Sequence, residues 1–545
     1  MSSSDQPRIP RIIHQSWNSR HVPREIGDPQ SWIDQNPGWD YRFWTDEDLL
    51  VFMRAEFPHL MDIYLAYPNP VQRADLSRYC LLWHFGGVYA DIDTACISPL
   101  EPLAGDARVV LCSEPLAHIT SGHLRGLEAM WFNGTMASPA RHPFWLSVIE
   151  LCKVMAPHGH VDVLASTGPL VLSGAVAQYP DQGGLSLNSC HIFTPHARGG
   201  VLDGAPSSGP HGELRLSHHY WRGSWYEGES PRGWGRAWDG FWRAAKGRWR
   251  KARHDLTAGP SQTLAQASAG IDLALMAAPL PPRRPAPDVV VFVPVRDGAR
   301  FLDRNLALIQ QLDYPKQNIC IVYGEGESGD GSAAAIDRII AKHGTAFAGI
   351  SRLEIRTGGR TIPRRRRWLP ALQLERRAMI ARARNAMIAQ GLAAGDDWVL
   401  WIDVDVVDFP PETLGRLLAA ETKIVVPHCV LESGGPSYDC NSFLEVGEPT
   451  PAEYYKHVRH GLFQPPADYW CRRHLDGLRY LERVPLHGVG GTMLLVDANV
   501  HRAGLVFPET PYRDLIETEA FGVLARDLGI SPIGLPGLEI RHDRS

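Results

Sequence analysis

Two short segments of this sequence carry the same pair of carboxylates. GGVYADIDT at 86–94 sets Asp91 and Asp93 at the end of an apolar, β-prone run, and WVLWIDVDVVD at 398–408 does the same with Asp403 and Asp405. An extended strand turns residues i and i+2 to one side. Each pair can therefore present two hard oxygen donors to one point past the strand end, where open α/β sheets bind ligands. Such donors suit Mg²⁺ or Mn²⁺, ions usually shared with substrate phosphates. An ion held there would neutralise charge developing on a leaving phosphate. The repeated device predicts two active sites on one polypeptide.

The elements that must carry these pairs are read from hydrophobic spacing. In the first half, RIIHQSW (11–17) and WDYRFWT (39–45) read as strands and LLVFMRAEF (49–57) as a helix. VQRADLSRYCLLWHF (71–85) has helical spacing, with Leu76, Tyr79, Leu82 and Trp83 on one stripe. Gly86 and Gly87 stop that helix and the strand to Asp91 follows at once. The second half opens at 288 with the fully apolar DVVVFVPVRDG. It continues as helix (301–312), strand (318–326), helix (376–394), strand (398–406), helix and strand again. This alternation predicts an α/β architecture with a mostly parallel sheet. Residues 260–287 are rich in Ala, Pro, Ser and Gln and end in PLPPRRPAPD, which predicts a stiff, extended spacer. The expected division is a domain at 1–231, a connecting region at 232–287 and a domain at 288–545.

Length and composition bound the rest. A chain of 545 residues exceeds what one core serves, and 44% hydrophobic with 21% charged residues is an ordinary globular profile. The net charge of −5 argues against general nucleic-acid binding. Nine scattered cysteines without a C-x-x-C pair predict buried thiols in a reducing compartment. MSSSDQPRIP lacks a signal-peptide pattern, and no apolar run approaches the ~18 residues of a membrane span. A cytoplasmic protein is expected, with peripheral attachment to the inner face of the membrane left open.

With these motifs in view, the first half resembles glycosyltransferase family 32, the DxD sugar-binding transferases that include initiating α-1,6-mannosyltransferases. The residues that carry the resemblance are IPRIIHQSW (9–17), NPGWDYRFWTDED (36–48), RADLSRYCLLWHFGGVYADIDT (73–94), Asn133, TGP (167–169) and HHYWRGSW (218–225). The resemblance implies a GT-A (Rossmann-like) fold, a nucleotide-sugar donor, a divalent metal and retention of anomeric configuration. It makes Asp91 and Asp93 the metal and donor carboxylates, with Asp93 catalytic. It sets Arg73, Asp75 and Asn133 around the donor and His14 and Trp17 near the nucleotide. His219, as a further metal ligand, and Trp225 would close the site; which of His218 and His219 faces it is left open.

The second half resembles glycosyltransferase family 62, the fungal mannan-polymerase α-mannosyltransferases. The matching elements are RARNAMI (382–388), WVLWIDVDVVDFPP (398–411), IVVPHCV (424–430), YDCNSF (438–443), VGGTMLLVDANVHRAGLVFP (489–508), YRDLIETEAFGVLARDLG (512–529) and GLPGLEIRH (534–542). This resemblance implies GDP-mannose as donor and a second GT-A sheet with Mn²⁺ (or Mg²⁺). Asp403, Asp405 and His542 become metal ligands, and imidazole suits Mn²⁺ better than Mg²⁺. Arg384 and Asn385 would hold the donor, Arg384 as a phosphate clamp. Gly490, Gly491 and Thr492 would let backbone approach the sugar closely. Glu517 and Glu519 are candidates for acceptor contact or catalysis at the anomeric centre; Asp439 and Asn441 are further candidates. Whether transfer uses a covalent carboxylate intermediate or a same-face displacement stays open.

Residues 232–253, RGWGRAWDGFWRAAKGRWRKAR, set Trp234, Trp238, Trp242 and Trp249 on one helical face and most of the segment's eight basic residues, against the single acid Asp239, on the other, which predicts an interfacial helix on anionic lipid. RTIPRRRRWLP (360–370) reads as a loop beside donor phosphates or an anionic acceptor. The expectation is a bifunctional, metal-dependent retaining glycosyltransferase acting on a glycan or lipid-linked glycan. A single active domain with a scaffold partner, or a non-catalytic nucleotide-sugar-binding assembly protein, would fit the same residues.

Overall fold

The computed structural model describes residues 7–222 other than 24, 120–123, 159–161, 198–199, 201 and 205, together with 251 and 261–544 other than 281–283 and 359–368. Trp225, the tryptophan-rich segment apart from Lys251, and most of the 360–370 run lie outside the described residues. The chain divides into two compact units. One comprises Met1–Arg232 with Arg479–Glu482, the other Gly233–Leu478 with Arg483–Ser545.

The first unit contains β1 (Ile12–Trp17), β2 (Asp40–Thr45), β3 (Gly87–Ala90), β4 (Thr94–Cys96), β5 (Val109–Cys112), β6 (Thr135–Ser138), β7 (Leu185–Asn188) and β8 (Ser217–His219). Six of them form a sheet in the order β2-β1-β3-β6-β5-β7, while β4 pairs with β8. In the second unit β9 (Val289–Val295), β10 (Ile319–Glu325), β11 (Gly349–Glu354), β12 (Trp398–Ile402), β13 (Val406–Asp408) and β14 (Ile424–Val430) come first. Five short strands follow, β15 (Phe443–Glu445), β16 (Val458–Arg459), β17 (Leu462–Phe463), β18 (Arg472–His474) and β19 (Val484–Pro485), then β20 (Met493–Asp497) and β21 (Ile533–His542). The large sheet runs β11-β10-β9-β12-β20-β14-β21-β13, with β19 on β21.

The two sheets share one plan. β3 is parallel to β1 and antiparallel to β6, as β12 is parallel to β9 and antiparallel to β20. Beyond the reversed strand, β5 and β7 are parallel, as are β14 and β21. Both units are GT-A-type α/β sheets, mixed rather than mostly parallel. Strand direction leaves no mark on the hydrophobic pattern, so the reversed strand was not legible in the alternation.

Local sequence explains the aspartate positions. The Pro70–Phe85 helix starts on an Asn69/Gln72 capping box with Pro70 in its first turn, and it ends at Gly86 with φ +67°. Gly87, also left-handed at +91°, turns the chain straight into β3. Neither aspartate pair lies within a strand. β3 stops at Ala90 and β12 at Ile402, and each Asp-x-Asp forms a turn before the next short strand. The pairs converge because that turn is pinned on both sides, not because of the two-residue alternation of a strand.

The expected spacer is also different in its described part. Residues 261–278 hold two short helices, Leu264–Ala267 and Leu273–Ala277, with Met276 buried. Gln262 N donates to Pro511 O (2.9 Å), Asp272 N donates to Ala503 O (2.7 Å), and Lys423 Nζ donates to the Met276 and Ala278 carbonyls (2.5 Å each). The buried Met276 and these hydrogen bonds anchor the Ala/Pro-rich stretch to the second unit. Among the described residues no helix is long and apolar enough to cross a membrane.

Candidate active sites

In the first unit Asp91 follows β3, and its backbone N–H donates to Gly134 O (2.7 Å) beside β6. Asp93 precedes β4, whose Thr94 pairs with His219 at the end of β8. That register brings His219 Nε2 to 3.2 Å from Asp93 Oδ1 and 3.9 Å from Asp91 Oδ2. One ligand atom from each of Asp91, Asp93 and His219 lies within 4.8 Å of the others, so the donor set fits a divalent ion. His218 points the other way, its ring against His196 and Tyr220. Burial alone would lower the His219 pKa, but hydrogen bonds and charge from both aspartates raise it to about 9. His219 in turn outweighs the burial of Asp93 and holds that carboxyl below its ordinary value.

Behind the pair stands a buried arginine absent from the expected set. Arg78 Nη1 lies 3.1 Å from Asp91 Oδ1 and donates to Asn133 O (2.9 Å), while Nη2 lies 3.1 Å from Asp75 Oδ1. Its guanidinium sits 4.7 Å over the Tyr89 ring. Asp75 also accepts from Asn133 Nδ2 (3.1 Å) and Thr167 Oγ1 (2.9 Å), and burial pushes its carboxyl up to about 6 against the opposing charge of Arg78. Asp75 and Asn133 thus position Arg78 and Asp91. The signal was available, because Asp75 and Arg78 are three apart on a helix. Arg73, half-buried, donates to Tyr67 O (2.9 Å). Trp17 ends β1 at the same sheet edge as Asp91.

Both ring nitrogens of His14 are taken up by the protein. The residue is fully buried, accepting at Nδ1 from Trp44 Nε1 (3.1 Å) and bonding Gly86 O through Nε2 (3.0 Å). Burial lowers its pKa to about 4. This residue carries a stability prediction. Between about pH 4 and 6.5 the unfolded chain binds a proton that folded His14 refuses, so stability is full above 6.5 and lost as pH falls through that window. The slope from His14 is at most about 1.4 kcal/mol per pH unit. Urea titrations at pH 4.5 and 7 should show it, and a non-titrating His14→Asn protein should show a shallower dependence. An equal dependence in both proteins would place the effect elsewhere.

The second unit repeats the arrangement. Asp403 N donates to Thr492 O (2.9 Å) beside β20. Val406, the residue after Asp405, pairs with His542 on β21, and His542 Nε2 lies 3.1 Å from Asp405 Oδ1. The His542 pKa is lowered by burial yet raised overall to about 9 by Asp405. The ring of Tyr438 packs against it at 4.5 Å. In both units, then, the residue following the second aspartate pairs in register with the closing histidine. Arg384 on the Gln373–Gly391 helix is the counterpart of Arg78, its Nη2 2.9 Å from Asp403 Oδ1 and 3.1 Å from Gly491 O. Burial pushes the Asp403 carboxyl up, opposed by Arg384 and reinforced by Asp405. Among the described residues the trio Asp403, Asp405 and His542 does not reach the mutual spacing of the first one.

Residues 269–511 match the Anp1 family, and residues 23–110 match the glycosyltransferase sugar-binding region containing the DXD motif. The mannan polymerase complex subunit mnn9 of Schizosaccharomyces pombe is 30% identical over 281 residues, 48% of this chain and 81% of that protein. The chain belongs to the Anp1 mannan-polymerase family. It is also 34% identical over 175 residues to the mannosyl phosphorylinositol ceramide synthase CSH1 of Saccharomyces cerevisiae, 31% of this chain and 43% of that one. Inositol phosphoceramide mannosyltransferase 1 of S. pombe is 33% identical over 200 residues, 35% of this chain and 55% of that one. The chain spans about half the length of these last relatives. The Anp1 match begins at 269, inside the packed segment that the proline pattern made a spacer.

The remaining expected residues of the Anp1 unit separate into two groups. Glu517 opens the Glu517–Asp527 helix with φ +60°, and its Oε1 lies 3.3 Å from Arg384 Nε. Burial raises its carboxyl against Arg384 and Arg377. A left-handed glutamate costs on the order of 1–3 kcal/mol and is held by its surroundings. Glu519 accepts from Arg377 Nη1 (2.5 Å) and Arg472 Nη1 (3.3 Å). Asn385 is spent elsewhere, bonding Phe507 backbone N and O (2.9 Å each) and Glu509 (3.1 Å). The glycines serve packing close to the site. A Cβ at Gly490 would lie 1.9 Å from Asp439 Oδ2, and one at Gly491 2.6 Å from Arg384 Nη2. Thr492 Oγ1 donates to that same Asp439 Oδ2 (2.9 Å). Asp439 therefore organises the glycine turn that receives Asp403.

Proposed function

We propose that this Anp1-family chain is a bifunctional, metal-dependent retaining glycosyltransferase. The second unit transfers mannose from GDP-mannose, and the first transfers a hexose from a nucleotide sugar, to a glycan or glycolipid acceptor. The observation that carries the reading is the register shared by both units, Thr94 opposite His219 and Val406 opposite His542, which sets a histidine against the second aspartate of each pair. A relative named as a mannan polymerase complex subunit and one named as an inositol phosphoceramide mannosyltransferase support mannose as the sugar moved and a glycan or glycolipid as its acceptor.

Asp91, Asp93 and His219 would hold one ion, and Asp403, Asp405 and His542 another, with Mn²⁺ suited to the mixed oxygen–nitrogen set. Such an ion supplies charge neutralisation for a leaving nucleoside diphosphate. The chain's own residues do the rest. Arg78 and Arg384 fix the rotamers of the first aspartates. Each closing histidine, raised to about 9 by the aspartates beside it, is protonated without an ion and gives up its proton on ligation. In this reading Glu517, paired with Arg384, and Glu519, paired with Arg377 and Arg472, would serve acceptor contact or catalysis at the anomeric centre.

Release of GDP from GDP-mannose, and of nucleotide from a panel of nucleotide sugars, should be lost on dialysis against EDTA and restored by Mn²⁺. Turnover indifferent to chelation would refute metal dependence. A second reading, in which only the first unit binds an ion unaided, is favoured by the spacing that, among the described residues, its trio alone meets. Calorimetric titration distinguishes the two by stoichiometry, two Mn²⁺ per chain against one.

A further inference from the structure

The second unit contains a cavity of about 440 Å³ that includes none of the aspartate-pair or histidine residues. Its volume falls within the ~300–1,000 Å³ of small-ligand sites. Tyr455, Phe463 and Tyr469 supply aromatic walls, and Glu445, Arg472 and Asp514 supply charge. The Phe463 ring stacks on Tyr454 at 4.2 Å and meets Tyr469 at 5.7 Å. Arg472 is buried, with its guanidinium 3.5 Å from the Phe443 ring centroid and 5.0 Å from that of Phe463. Its Nε is buried and makes no hydrogen bond within the described residues.

Two further features mark the mouth. Gly447 lines the cavity, and a Cβ there would lie 2.8 Å from Trp470 Cζ3, so only glycine lets the indole lie on the backbone. Trp470 is nevertheless 51% exposed, a large apolar ring left open to solvent beside the cavity. On the inner side, Arg472 reaches Glu519 (3.3 Å), which also holds Arg377. The cavity wall is thus one side chain away from the acid pair Glu517 and Glu519.

We propose that this cavity binds a neutral saccharide, a portion of the acceptor glycan remote from the transfer point. The inference rests on the mannosyltransferase reading of the second unit for its direction, not for its chemistry. A pyranose has apolar C–H faces and a rim of hydroxyls, so it calls for aromatic rings beside carboxylates and guanidinium groups. Lys251, Arg472 and Arg513 stand against Glu445 and Asp514 in the wall; Arg472 is already ion-paired with Glu519 and Arg513 with Asp527, which disfavours a phosphate or another strongly anionic ligand. A wholly apolar ligand would desolvate those charged groups and offer them no hydrogen bond in return.

The test is equilibrium binding of an α-linked mannotriose to the full chain with Mn²⁺ present, read by saturation-transfer NMR and tryptophan fluorescence. Wild type and Asp405→Asn should bind alike. Trp470→Ala and Glu445→Gln should each weaken binding about tenfold, which is ~1.4 kcal/mol. Both substituted side chains are exposed, so folding is preserved, and an unchanged thermal midpoint verifies it. Absence of binding to wild type, or equal binding by both cavity variants, would overturn the proposal. The binding arms need no turnover, so failure of GDP-mannose transfer would count against the activity and leave the saccharide result standing.

Discussion

Asp405→Asn is expected to lower mannose transfer from GDP-mannose by about 10²-fold or more, with sugar transfer by the first unit unchanged; Asp93→Asn is expected to do the reverse. Asparagine keeps the shape of the side chain and removes the charge. Asp405 is only part-buried, at 36% side-chain exposure, so little stability is at stake. What goes is the anionic ligand and the charge that raises His542 to about 9; without it, burial would return that imidazole toward or below its ordinary value. The same reasoning applies to Asp93, whose partner His219 is raised for the same cause. Product formation by mass spectrometry, with each variant assayed against GDP-mannose and the other nucleotide sugars, measures both heads at once. If mannose transfer survives Asp405→Asn and disappears in Asp93→Asn, the donor assignments are exchanged. If one substitution abolishes everything, the chain has one catalytic head.

Arg78→Leu should cost the first unit about 3–5 kcal/mol near pH 7.5, the loss typical of removing one partner from a buried ion pair. Arg78 and Asp75 are 5% and 6% exposed, so solvent does not screen the pair. The substitution strands the Asp75 carboxylate, removes a neighbour of Asp91 and frees the Asn133 carbonyl. Its pH dependence has a definite sign. Burial already raises folded Asp75 to about 6, and without Arg78 it rises further, above an unfolded value of about 3.9. The folded variant then holds a proton that the unfolded chain does not, so its stability falls as pH rises from 5 to 7.5. Urea denaturation at those two values reads the effect, and Asp75→Asn in the same chain should recover part of it. A loss within the roughly 0–1 kcal/mol of an exposed pair would show that Arg78 is not structural.

Much of the site was legible because it is local. The two Asp-x-Asp motifs, the apolar strands before them, the glycines that end the Pro70–Phe85 helix and the alternation of elements all depend on neighbours in sequence. Hydrophobic spacing and turn chemistry report such neighbours directly. So does the Asp75–Arg78 pair, which helical spacing alone could have singled out. A histidine in an apolar strand looks the same in sequence whether it faces a ligand or a core; that Trp44 and the Gly86 carbonyl bond the His14 ring is visible only in the fold. The neighbours of Asn385 and Gly490, Phe507 and Asp439, were likewise illegible because they lie far along the chain. The proline-rich stretch read as a spacer because composition cannot show that Met276 finds a core.

By itself, then, the sequence determined the chemical groups, their spacing on each strand end and the number of such ends. Only the tertiary structure decided which distant residues complete them. His219 lies 126 residues after Asp93 and His542 lies 137 after Asp405. What joins them is backbone pairing between strands, Thr94 with His219 and Val406 with His542. Backbone hydrogen bonds carry no side-chain signature, so register between strands is a property of the folded sheet and of the core that fixes which face of each strand is buried.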